Sequence, residues 1–414
     1  MPDPSVAAAP MPRPQRALAP VVVAIGLALL LGLQPVTTDL YLPALPMLAR
    51  ELAASPGAVQ QTMSALILGF GLMQLVWGPV ADRFGRRPVL LSSLALLVVA
   101  GVGAAMSTHI AQLVAWRTAQ GAMLAAAVVC ARAMVRDLYE PHQGARVMAL
   151  AMSGLGVLAV SAPLGGGLLT AAYGWRATLV TVAAMAAIAL LYVWRQLPET
   201  LTQRNPHALR LRSMLASTLA VVAHPTFRAW GLLTSATYGG LFVLLSASSF
   251  AYIGVLGLTP AQYGAALASA SLSYLVGTLV CRRWLSRHGL VGTVKRGALF
   301  TLAGALGMAA CGLAAQVSWP AVLLAHWCYC FGHGMHQPCG QTAVVGPFPR
   351  MAGLASALAG CLMALVAFVT GVTLGAAMDG SLRPMAFGTA AWGLVTALTA
   401  WTLVQRHGQP AAAP

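Results

Sequence analysis

Long apolar runs, each closed by a short polar turn, recur twelve times along this chain of 414 residues. Their approximate bounds are 18–46, 58–80, 88–107, 109–132, 144–172, 175–194, 228–254, 261–281, 295–315, 319–345, 350–378 and 384–404. A helix needs about 20 apolar residues to cross the hydrocarbon of a bilayer, so each run predicts one transmembrane helix. The longest connection, 195–227, is basic, with Arg195, Arg204, Arg210 and Arg212, and it divides the spans six and six. Equal halves around such a linker fit a duplicated carrier with its substrate site between the halves. The expected architecture is an all-α membrane protein of twelve transmembrane helices in two six-helix halves. Its parts are a tail 1–17, a first half 18–194, a linker 195–227, a second half 228–404 and a tail 405–414.

Composition agrees. Apolar residues are 59% of the chain and charged residues 8%; so few charges cannot build a water-facing surface, so lipid must cover most of it. The net charge of +16 would suit a nucleic-acid partner, but its distribution does not. If the amino terminus is placed inside, the inner segments hold 20 of the 24 Lys and Arg. The outer ones hold only Arg50, Arg176 and Arg383, and Arg117 lies within a span. This is the positive-inside pattern. It predicts a multi-pass protein of the bacterial cytoplasmic membrane with both termini cytoplasmic and no nucleic-acid partner. The start of the chain, with Arg13 and Arg16 before an apolar run that continues into Asp39, reads as a retained first helix, not a cleaved signal. The seven cysteines fall in or beside apolar spans, so no disulfide framework is implied. Cys328 and Cys330 lie near His326 and His333, yet membrane-buried cysteine usually packs as a small hydrophobe, and no metal or organic cofactor is expected.

Four segments carry candidate chemistry. Between spans 2 and 3 runs Gly78-Pro-Val-Ala-Asp82-Arg83-Phe-Gly85-Arg86-Arg87-Pro88. A positive-inside loop explains Arg83, Arg86 and Arg87 but not the acid between two glycines. Asp82 could accept from a neighbouring helix N-terminus. Span 1 holds the one acid deep in an apolar run, Asp39, with Pro43 four residues on. Proline there cannot donate to the carbonyl of residue 39, so a kink is expected at the acid. An ionisable group inside a membrane is costly and functional by default. Span 4 carries Trp116-Arg117-Thr-Ala-Gln120-Gly121, with Arg117, Gln120 and Gly121 on one face. Arg117 shares the outer half of the bilayer with Asp39, so the two are expected to pair. Span 5 holds Pro163, Gly165, Gly166 and Gly167, small residues that let helices approach closely.

Gly78–Leu90 resembles the signature loop of the major facilitator superfamily at every defining position, and Cys281–Gly289 is a degraded second-half copy lacking the acid. The resemblance implies that Gly78, Asp82, Arg83, Gly85, Arg86 and Arg87 form a gating latch. The Arg117 segment is similar to the family's span-4 motif, which implies a part for Asp39 and Arg117 in proton coupling. The span-5 cluster resembles the antiporter signature of exporting members, with Ala162 where glycine is usual. Over 38–176, with a weaker echo at 347–360, the chain resembles the bicyclomycin/chloramphenicol resistance (Bcr/CflA) branch of drug:proton antiporters. That implies efflux of varied drug-like molecules, with protons as the coupling ion; separately, a monomer is expected.

Substrate contacts are expected from Tyr41 and Gln120 beside the two charges, from Tyr238 and Phe242 on one face of span 7, and from His333 and Gln337 in span 10. Proton-coupled uptake or export of a specific metabolite is the alternative on the same fold. A membrane enzyme is not expected, because no His-Glu-x-x-His pair occurs and the three glutamates lie near span ends.

Overall fold

The computed structural model describes residues 19–206 and 211–409; the tail expected at 1–17 lies outside them. Every regular element among the described residues is helical. In chain order they are α1 (Pro20–Asp39), α2 (Leu45–Glu51), α3 (Pro56–Phe84), α4 (Arg86–Ala105), α5 (Ile110–Leu138), α6 (Pro141–Tyr173) and α7 (Trp175–Gln196). There follow α8 (Leu211–Ala223), α9 (Pro225–Ser249), α10 (Pro260–Leu313), α11 (Trp319–Val345), α12 (Ala352–Ala377), α13 (Arg383–Trp401) and α14 (Leu403–His407). Five of these helices open on proline, whose missing N–H has no helical partner at that position anyway. Ser55 caps α3, and Thr259 with Gln262 closes a capping box on α10.

Ten of the described helices are long and apolar enough to cross a membrane. Helix α10 does so twice: its 54 residues are broken at Gly289, where φ is +65°, and at 1.5 Å per residue the two segments together have a contour of about 80 Å, enough for two crossings. Helix α11 is also long enough, with 27 residues, but His326, His333 and His336 lower its apolarity. The result is twelve crossings at the positions the apolar runs predict. The linker carries a helix the sequence reading did not foresee, the short amphipathic α8.

Helices α1 and α3–α7 pack mainly on one another, as do α9–α13, and the two groups meet along α3 with α12 and α6 with α10. Small residues make both seams. A Cβ on Gly57 would stand 2.6 Å from the Gly375 carbonyl oxygen. One on Gly167 would stand 2.5 Å from that of Pro260, and one on Gly264 would stand 2.6 Å from that of Pro163. These contacts cluster on the arginine-poor face. There Tyr41, Leu42, Leu45, Leu48 and Met63 share one core with Phe242, Leu244, Tyr252, Tyr263 and Leu267. That face is sealed. On the arginine-rich face the groups part around a cavity.

Candidate functional site

The cavity starts at Gln34, Phe70 and Tyr238 and runs past Gln74, Gln337, Gln341, Arg132 and Ser356. Gln74, Arg132 and Ser356 also line an adjoining space that reaches Gly78, Asp82, Arg86, Arg136 and, from α8, Met214 and Ser217. The deeper part holds about 120 Å³ and the part toward the arginine-rich face about 310 Å³, so only the latter reaches the roughly 300–1,000 Å³ usual for small-molecule sites. The walls of the deeper part mix aromatic and aliphatic groups (Phe70, Tyr238, Ile67, Met363) with amides. Of the expected contact residues, Tyr238 and Gln337 line it, and the Gln337 Oε1 is buried with no hydrogen-bond partner.

Four expected contacts lie elsewhere. Tyr41 is fully buried, its hydroxyl 3.1 Å from Thr62 Oγ1 and its ring beneath Arg117. Gln120 is buried and accepts from Arg117 Nη1 at 3.0 Å. Phe242 belongs to the sealed core. His333 turns its Nδ1 to Thr237 Oγ1 at 3.0 Å and packs on the Tyr274 ring. Tyr41 lies in the break after α1, on no helical face; for the other three, helical spacing gives a face but not which neighbour that face meets.

Asp39 ends α1. A one-turn 3₁₀ segment, Leu42–Ala44, follows Leu40 and Tyr41 before α2 begins, which is the break that Pro43 predicts. The acid is half-buried, with Thr38 Oγ1 at 2.7 Å from its Oδ1. It lies within electrostatic range of Tyr238, on the cavity wall, and of Tyr263, in the seal. Along the chain it follows Gln34 of the cavity wall and precedes Tyr41 and Leu42 of the seal, so it sits at the boundary between the two.

The expected ion pair with Arg117 is absent among the described residues. Arg117 is fully buried, and its Nη2 donates to the Thr37 carbonyl at 3.1 Å and touches Met63 Sδ at 3.3 Å. Tyr41 offers its ring face 4.3 Å below the guanidinium. The cause is the break itself. Carbonyls in the last turn of a helix lack intrahelical donors, and Arg117 supplies one to Thr37. The guanidinium thus braces α1 two residues before Asp39 while the carboxylate keeps Thr38 as its partner.

The latch residues are placed as follows. Asp82 and Arg86 form a 2.6 Å ion pair, and Arg86 Nε also donates to Asp137 Oδ2 at 3.2 Å. Gly85 takes φ +108°, a left-handed conformation that turns α3 into α4. Asp82 was expected to meet a helix N-terminus; Glu199 does so instead. Its carboxylate accepts from the backbone N–H of Arg86 (2.9 Å) and Arg87 (3.2 Å), and also from Thr200 and Leu201 (both 2.9 Å). Arg87 donates to the carbonyls of Leu197 and Trp194, satisfying the end of α7. Arg83 is exposed beside Phe84. Gly78 lines the cavity mouth.

In the span-5 cluster, Gly166 backs onto the Leu40 carbonyl and Gly167 onto Pro260, whereas Gly165 has open space. Pro163 presents its carbonyl to Gly264. The cluster therefore packs the seal on both sides of Asp39's helix end.

Sequence reasoning missed Gln34, Gln74, Gln341 and Arg132. Arg132 is exposed to the cavity, and its Nη1 donates to Ser356 Oγ on the other helix group at 3.3 Å. Amides are rare in apolar spans, so Gln34, Gln74 and the four-residue spacing of Gln337 and Gln341 were available signals. No group of three or more metal-ligating side chains occurs among the described residues.

A profile of the Major Facilitator Superfamily matches residues 27–371. The chain is 25% identical over 384 residues to the bicyclomycin resistance protein homolog of Haemophilus influenzae, covering 92% of this chain and 96% of that one. It is 30% identical over 348 residues to multidrug resistance protein D of Escherichia coli, covering 81% and 84%. Among solved structures, the D-xylose–proton symporter superposes with a TM-score of 0.72 at 16% identity, over 92% of this chain and 96% of that chain.

Proposed function

This chain belongs to the Major Facilitator Superfamily, and from that membership we propose that it exports small drug-like molecules from a bacterial cytoplasm in exchange for protons. The observation that carries the reading is the position of Asp39, between a cavity open on the arginine-rich face and a seal on the other. The positive-inside pattern makes the open face cytoplasmic. Substrate enters there while Asp39 is ionised. The halves then rock, the seal parts, and a proton taken up by Asp39 from outside accompanies substrate release. Arg117 fixes the α1 break that holds the acid at the boundary. The Asp82–Arg86–Asp137 network and the Glu199 cap shape the cytoplasmic end. The protein's relatives are named for bicyclomycin and multidrug resistance, which supports drug-like substrates over a single metabolite. The span-5 cluster Pro163–Gly167, which resembles the antiporter signature of exporting members, supports export over uptake.

The test uses inside-out membrane vesicles energised to an acidic lumen, with a pH-sensitive dye. Chloramphenicol or bicyclomycin added outside is expected to discharge the gradient with the wild type and not with Asp39→Asn. Equal discharge by the variant removes Asp39 from the proposal, and no discharge with any drug of a broad panel removes drug export itself.

A further inference from the structure

The sealed face is not uniformly apolar. Tyr252 and His326 are both almost fully buried there, yet the Tyr252 hydroxyl and both ring nitrogens of His326 have no hydrogen-bond partner among the described residues. Native interiors rarely leave three such atoms unpaired in one place, and the usual explanation is ordered water. The two rings lie 6.4 Å apart, and Tyr252 is 5.9 Å from the Tyr263 ring. The Tyr263 hydroxyl is 2.7 Å from Ser248 Oγ, and Tyr263 is within electrostatic range of Asp39. Tyr252 sits in a short π-helical stretch, Phe250–Val255, a widened turn common at functional sites.

A separate cavity opens on the same arginine-poor face. It is lined by Leu256 and Leu258 just after the π stretch, by Gln262 and Ala266 flanking Tyr263, and by Trp319 and Leu323 two turns and one turn before His326. The polar cluster therefore lies between this outer cavity and Asp39. Tyr263, Cys311 and Cys330 also interact electrostatically with Tyr252, and no carboxylate, amine or guanidinium is among these three.

We propose that His326, Tyr252, Tyr263 and Ser248 hold ordered water and conduct protons from the outer cavity to Asp39 once the cytoplasmic side has closed, ahead of the parting of the seal that releases substrate. The requirement is a chain of groups that can each accept a proton on one side and release one on the other. An imidazole with two free nitrogens, two phenols and a hydroxyl meet it, and the proton count is conserved at every hop. The path rests on the antiport reading above, and it adds an outer entrance separate from the substrate route.

The test compares proteoliposomes of purified full-length wild type, His326→Leu, His326→Gln, Tyr252→Phe and Asp39→Asn. Two rates are read for each: drug-driven proton flux, and drug-for-drug exchange at equal pH, which needs no proton path. His326→Leu and Tyr252→Phe are expected to lower proton flux at least tenfold and to keep exchange within twofold of wild type. His326→Gln, which retains donors and acceptors for water, is expected to recover part of the flux. Wild-type flux in both His326→Leu and Tyr252→Phe overturns the path but leaves Asp39 in place if Asp39→Asn is silent. A parallel fall of flux and exchange overturns it as well, since that marks a packing role. Proton flux that persists in Asp39→Asn overturns the antiport reading and the path with it.

Discussion

Adding one methyl group at Gly167 is expected to tilt the protein away from the conformation described here. Gly167 of α6 faces α10, and a Cβ on it would stand 2.5 Å from the Pro260 carbonyl oxygen and 3.1 Å from Ala261 Cα. Ordinary contact needs about 3.4 Å, so the helices must separate by close to 1 Å or strain. Over-packing of this size costs about 1–3 kcal/mol. The cost applies only while α6 and α10 are pressed together on the sealed face. A conformation that parts them there avoids it, so the ratio of the two states changes by a factor of about 5–150. Spin labels at Phe84 and Arg287, both exposed on the arginine-rich face, read the change by electron–electron distance measurement. In Gly167→Ala the long-distance population falls and a shorter one grows. Gly165→Ala, whose Cβ meets nothing within 4 Å, is the control and keeps the wild-type distribution. Gly264→Ala loads the same contact from the facing helix, so the double variant shifts less than the sum of the singles. An unchanged distribution in folded Gly167→Ala and Gly264→Ala refutes the reasoning, because the seam would then not be state-dependent.

Further expectations follow from the same geometry. Glu199→Ala leaves the Arg86 and Arg87 backbone donors without their cap and is expected to lower stability by about 1–2 kcal/mol in a denaturant titration; Glu140→Ala, whose side chain caps nothing, is the reference. Arg117→Lys keeps the charge but cannot reach Thr37, Gln120 and Met63 together; a lower melting temperature and slower drug-driven proton flux are expected, read by calorimetry and the vesicle assay. Gln337→Ala and Tyr238→Ala, on the cavity wall, should each weaken drug binding several-fold by calorimetric titration. Tyr41→Phe, away from the cavity, should leave binding within twofold.

The crossings were legible because lipid demands a continuous apolar run, and that demand is local in sequence. The break after Asp39 was legible for a like reason: Pro43 forbids a specific backbone bond four residues back. The Asp39–Arg117 pair was not, because depth in the bilayer can be read along each helix whereas rotation about its axis is set by neighbours. Arg117 meets α1 from the side of the Thr37 carbonyl, 80 positions away in sequence. Glu199 was passed over for a related reason. It follows α7 in an irregular stretch, and its role exists only because the fold returns it to Arg86, 113 positions earlier. Helix α8 was missed because 13 residues are too few to span a bilayer and read like any short amphipathic stretch. Of the cavity amides only Gln337 was expected as a contact; Gln34, Gln74 and Gln341 carry no charge, and a neutral amide marks a site less sharply than an ionised group.

The central claim is that the coupling proton travels on Asp39. Purified protein in proteoliposomes with an acidic interior tests it most directly, using labelled chloramphenicol outside. Wild type is expected to accumulate the drug uphill and to release it when nigericin collapses the gradient. Asp39→Asn is expected to exchange labelled for unlabelled drug across the membrane but never to concentrate it. Uphill accumulation by Asp39→Asn at the wild-type level would contradict the claim and place the coupling proton on another group.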